Sequence, residues 1–151
     1  MGTLKDRLTA DMRAALKTRD ELTTSTLRMA LAAIANAEVA GKAKRELSDE
    51  EVISVLTREV KKRRESAAAF AEAGRSEQAA RENAEGDVLA RYLPKQLDDA
   101  ELAEVVAEAL AAGGFEGKAQ MGPAMKAAQT AVAGRADGAR VAAEVRRQLG
   151  I

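Results

Sequence analysis

An all-α fold of seven helices in two subdomains is what this sequence predicts, and three observations carry the prediction. Alanine is the commonest residue, aromatics supply 2% and proline fills two positions, a mix that favours helix and starves a sheet of its usual formers. Apolar residues recur at three- and four-residue spacing along most of the chain, the period of a single helix face. Helix-start chemistry is complete at two places, Leu47–Val52 and Leu97–Leu102.

Taken in order, Leu4, Leu8, Met12 and Leu16 predict a first helix from Thr3 to Arg19 with those four side chains inward. A second runs from Asp20 to Val39 on the stripe Leu27, Leu31 and Ile34, and Gly41 is its expected stop. In "LSDEEV" Ser48 caps, Glu51 reaches back and Leu47 staples onto Val52; the third helix carries Val52, Val55, Leu56 and Val60 inward and ends at Gly74. Ser76 opens a fourth, weakened at Gly86, whose Val88, Leu89, Tyr92 and Leu93 face the core before Pro94 removes the next amide. Asp98 and Glu101 repeat the cap for a fifth helix, with Leu102, Val105, Val106, Ala109 and Leu110 inward and Gly113-Gly114 at its end. Pro123 suits the first turn of a sixth, carrying Met121, Met125, Ala128 and Val132, with Gly134 as its cap. Asp137 caps the last, on Val141, Val145 and Leu149. The boundary falls at Pro94, giving a four-helix subdomain over residues 1–94 and a three-helix one over 95–151.

Lys plus Arg and Asp plus Glu balance at 24 each, so no global field selects an anionic partner. With no cysteine there is no disulfide, thiolate nucleophile or cysteine-type zinc site, which fits a reducing cytoplasm. With no histidine, the commonest general base and transition-metal ligand is missing as well. No metal or other cofactor is expected, and no window approaches a membrane span, so the expectation is a cytoplasmic protein with no membrane contact. The acid pairs Glu50-Glu51 and Asp98-Asp99 sit in first turns, where the helix dipole favours negative charge, and read as caps rather than catalytic pairs.

Two stretches invite a binding role. "REVKKRR", Arg58 to Arg64, follows "KAKR" at Lys42 to Arg45, and its Arg58, Lys61 and Lys62 share a face on which several nucleic-acid phosphates could be neutralised. No aromatic platform accompanies them, and a solvated face laced with Glu59 and Glu65 is the alternative. The second stretch, "GRADG" at Gly134 to Gly138, has a complete explanation as a helix-to-helix turn. It also sets Arg135 outward beside the free amides of a helix start, a seat for a phosphate.

Three stretches, "YLPKQLDDAEL" (Tyr92 to Leu102), "MGPAMK" (Met121 to Lys126) and "GRADGARV" (Gly134 to Val141), resemble the YqeY-like family in that order. Its members are similar to the C-terminal helical and tail region of one component of the glutamine-dependent aspartyl/glutamyl-tRNA amidotransferase. The resemblance covers essentially the whole chain and implies a four-helix and a three-helix subdomain. It also implies a connection with tRNA or an aminoacylation-related protein. Carried over by position, the candidate contacts are Lys126, Gly134, Arg135, Asp137 and Arg140. Pro123 stands where the family pattern often has a charged or polar residue, so no side-chain contact is expected there.

Three readings follow: a non-catalytic RNA-associated module, a component of a carbon–nitrogen ligase with glutamine as amide-nitrogen donor, and a protein-binding helical scaffold. The amide-forming reading requires a nucleophile with its activating partners, and no such constellation is visible.

Overall fold

The computed structural model describes residues 2–151, and among them are seven α-helices, one short 3₁₀ turn and no strand. The chain divides into two compact units, Met1–Leu93 and Pro94–Ile151.

The first unit is built from four helices whose starts are chemically explicit. Thr3 and Asp6 exchange side chain to backbone hydrogen bonds to open α1 (Leu4–Lys17), and Asp20 accepts from the Thr23 amide to open α2 (Glu21–Glu38). Ser48 and Glu51 form the same reciprocal box at α3 (Asp49–Glu72), as their spacing predicts. Gly74, at φ 76°, turns the chain into α4 (Ser76–Ala90). Leu8, Leu27, Ile34, Val52, Leu56 and Leu89 meet in the core, each shut from water. Each such burial is worth about 1.5–3 kcal/mol. Half-buried Tyr92 closes the end of this core: its hydroxyl donates to Asp11 and the Arg7 guanidinium lies 4.7 Å over its ring. Burial, reinforced by the Asp11 carboxylate, pushes the phenol up to about 12.

Three expectations fail here for identifiable reasons. Leu16 does not join the core and is 52% exposed, whereas Ala15 is buried. A four-residue repeat drifts by about 40° per step, so by its third step the stripe has left the face that Leu8 defines, and Ala15, seven residues on, has returned to it. The first helix also stops before Arg19. Arg19 is left-handed at φ 61°, its amide and that of Asp20 donate to the carbonyls of Leu16 and Ala15, and α1 thus ends in a double-bonded cap without glycine. Gly41 does not stop α2. Glu38, 4% exposed, accepts from the Lys5 ammonium at 2.8 Å and from the Leu47 amide at 3.3 Å, while its own carbonyl takes the Arg45 amide. The loop is thus wound around that buried carboxylate, which the Lys5 contact holds below its ordinary range.

In the second unit, Asp98 and Glu101 box the start of α5 (Asp99–Gly113), which ends at left-handed Gly114. A 3₁₀ turn at Lys118–Gln120, not anticipated from the sequence, leads into α6 (Met121–Val132), and α7 (Gly138–Leu149) follows. Val106, Ala124, Ala128, Val132, Val141 and Val145 form the core with Leu97 and Leu102. Alanine at two of the α6 positions brings helix backbones close, so the short helices need only small side chains between them.

Candidate nucleic-acid interface

The five cations of the Arg58–Arg64 run part company in the fold. Arg63 turns onto α4 and pairs with Glu85 at 3.0 Å and Glu82 at 3.4 Å; Glu85 is buried and also takes Arg81. Arg64 reaches Asp87 at 2.7 Å and the Asn83 carbonyl at 2.9 Å by crossing α4 at Gly86. A Cβ at Gly86 would lie 3.1 Å from the Arg64 guanidinium carbon, so the glycine that weakens the helix makes room for the arginine. Arg58, Lys61 and Lys62 remain exposed on α3, with Lys62 3.2 Å from Glu59 of its own helix. In the preceding loop Lys42 and Lys44 are exposed, whereas both terminal nitrogens of Arg45 bind the Glu51 carboxylate. Arg45, helped by the Ser48 amide, holds the Glu51 carboxyl down at about 2.

In the second unit the turn between α6 and α7 is more heavily bonded than its sequence suggests. Gly134 is not the first left-handed residue: Ala133 caps α6 at φ 52°, and Gly134 follows at φ 78°. Nor does Arg135 point outward. Its Nε donates to the Val132 carbonyl at 2.9 Å and its Nη2 to that of Ala131 at 2.8 Å, so the guanidinium closes the open end of α6. Helix-end carbonyls carry partial negative charge and lack helical partners, and Arg135 brings a charged donor to two of them. At the start of α7 the Asp137 carboxylate accepts from the Ala139 amide at 3.0 Å, the cap expected of it.

The same turn clasps the segment that precedes α5. The Leu97 amide donates to the Arg135 carbonyl at 2.7 Å, Gln96 to the Gly134 carbonyl at 3.3 Å, and Arg140 to both the Leu97 carbonyl at 3.1 Å and Asp99 at 3.0 Å. Gly134, Arg135, Asp137 and Arg140 therefore sit together in one bonded structure, while Lys126 stands on α6 with no ion-pair partner among the described residues.

A feature that no sequence motif marks lies at the turn between α1 and α2. Leu16, Arg19, Glu21, Thr24, Ser25 and Arg28 line an open groove of about 360 Å³. Positions 21, 24, 25 and 28 share one face of α2, and Leu16 and Arg19 close the groove from the end of α1. Neither the Arg19 nor the Arg28 guanidinium has a hydrogen-bond or ion-pair partner among the described residues. The sequence signal was the failure of Leu16 to keep its stripe, which becomes visible only when the repeat is tracked around the helix rather than counted.

Among the described residues no group of three or more Asp or Glu could hold a metal ion, and no helix is long and apolar enough to cross a membrane. No curated protein matches the chain. The family model described as Yqey-like protein matches residues 5–149, nearly the full length. The chain belongs to the YqeY-like family.

Proposed function

We propose that this YqeY-like chain is a non-catalytic, tRNA-associated helical module, acting through RNA or through an aminoacylation-related protein. The observation that carries the reading is the division of labour on α3: Arg63 and Arg64 join the fold, and Arg58, Lys61 and Lys62 are left exposed at three- and four-residue spacing. A helix face of that kind neutralises backbone phosphates without reading bases, as shape-directed RNA binding requires. The likeness of the C-terminal half to the tail region of the tRNA-dependent amidotransferase supports tRNA as the RNA class. Lys126 is the further contact on α6; Arg135 and Arg140 serve the module by holding the α6–α7 turn in shape.

The test is filter binding of tRNA across a salt series, with wild type against the triple variant Arg58→Ala/Lys61→Ala/Lys62→Ala. The slope of log affinity against log salt should fall by about two to three units in the variant. An unchanged slope, or wild type that binds no tRNA, overturns the reading. Ammonia release from glutamine by the purified chain would instead favour a ligase component. Stoichiometric co-purification of a protein without RNA would favour a scaffold.

A further inference from the structure

We propose that the groove at the α1–α2 turn is a nucleotide site, in which Arg19 and Arg28 hold a phosphate and Leu16 backs the sugar or base. It is lined by residues of α1, α2 and the turn between them, not of α3, and does not depend on the α3 face binding RNA.

The groove leaves both of its cations unsatisfied. Arginine is the side chain best shaped to hold phosphate through paired hydrogen bonds, and two guanidiniums here have no carboxylate. The same walls carry acceptors whose hydrogens are already committed: the Thr24 hydroxyl donates to the Asp20 carbonyl at 2.7 Å, and that of Ser25 to the Leu22 carbonyl at 3.2 Å. Glu21 adds a carboxylate on the same face of α2. A fitting ligand therefore offers an anion to the arginines and hydroxyl or amino donors to Glu21, Ser25 and Thr24. The side chains of an acidic peptide supply only anions, and its donors would have to come from the backbone. A nucleotide supplies both, in its phosphate and in its sugar hydroxyls or base amino group.

Leu16 completes the fit. It is an aliphatic side chain, 52% exposed at the groove wall, and a sugar or base edge laid against it would remove it from water. The volume, about 360 Å³, lies at the small end of ligand sites, where single nucleotides rather than large cofactors belong. The nucleotide can be free or one unit of a single-stranded RNA, because both present the same phosphate and sugar.

The experiment is an amide NMR titration of the full chain with adenosine 5′-monophosphate, with inorganic phosphate, with a single-stranded oligoribonucleotide and with an oligoglutamate peptide. Saturable shifts confined to residues 16–28 are expected with the mononucleotide, and weaker ones with phosphate alone. Equal affinity for mononucleotide and oligomer identifies a free nucleotide as the ligand; at least tenfold tighter oligomer binding at the same amides identifies RNA. Arg19→Gly/Arg28→Ala should weaken binding by about tenfold per arginine removed. Glycine suits the left-handed backbone at position 19, so the loss cannot be ascribed to unfolding if the melting temperature is unchanged or higher. The Lys61→Ala/Lys62→Ala variant should bind the mononucleotide as wild type does, which separates this site from the α3 face. The proposal is overturned if neither nucleotide probe shifts these amides, if the arginine variant binds unchanged, or if oligoglutamate binds more tightly than the mononucleotide.

Discussion

The turns at residues 18–20 and 133–137 solve the same problem with opposite outcomes. Each ends a helix on a left-handed residue other than glycine, Arg19 at φ 61° and Ala133 at φ 52°, and each carries an arginine. At the α6–α7 turn the arginine folds back onto two helix-end carbonyls, and every neighbouring motif residue described above has a bonding role. At the α1–α2 turn the backbone amides of Arg19 and Asp20 cap the helix, leaving the guanidinium without a partner beside a groove. The stretch that looks most like a motif thus has its arginine bonded within the fold, and the unmarked turn leaves its own guanidinium unpaired. A satisfied cation fixes shape; an unsatisfied one on a groove wall is available to a ligand.

The comparison breaks most visibly at the arginines. Arg135→Ala should cost about 2 kcal/mol of stability in urea melts, because two carbonyls at the end of α6 lose a charged donor in a half-buried setting. Arg19→Ala should stay within about 0.5 kcal/mol of wild type, since no side-chain bond is lost. Equal effects would erase the distinction between the turns. Asp137→Ala should cost about 1 kcal/mol by removing the α7 cap, read in the same melts.

Smaller still are the backbone effects. Ala133→Gly and Arg19→Gly should each raise stability by up to about 1 kcal/mol, the relief of a left-handed side chain less the added freedom of glycine when unfolded. A loss at either position would mean that its side chain does more than occupy a cap.

The last and mildest test uses a third loop arginine, Arg45, which is held by a carboxylate instead of by carbonyls. Glu51 is lowered from 4.5 to about 2, so its stabilising contribution is complete above its unfolded value and is lost as pH falls through that window. Melting temperature should therefore decline more from pH 4.5 to pH 2 in wild type than in Arg45→Ala.

The parts of the fold that were legible in the sequence are those decided within one helical turn. Ser48 with Glu51 and Asp98 with Glu101 each place donor and acceptor three residues apart, and the structure closes both boxes. What could not be read depends on partners far along the chain or on the backbone itself. Arg63 and Arg64 are diverted by acids on α4, and nothing between Arg58 and Arg64 announces them. Arg135 is claimed by carbonyls that become acceptors only because a helix ends there. For the candidate sites the same limit applies: Arg58, Lys61 and Lys62 were identifiable as one face from spacing, while Arg19 and Arg28 became neighbours only through the reversal at residues 18–20.

Arg64, lying across Gly86, turns the α3–α4 pair into a keyed joint. Sliding α4 by one turn in either direction would bring Glu82 or Ala90 beneath the guanidinium, which would have to shift to admit either Cβ. The same slide would pull Glu85 from Arg63 and leave that buried carboxylate with only Arg81 of its own helix. The crossing therefore opposes ratchet motions, in which one helix advances past another by a turn. A rearrangement that separates α4 from α3 has to release the ion pairs of both Arg63 and Arg64.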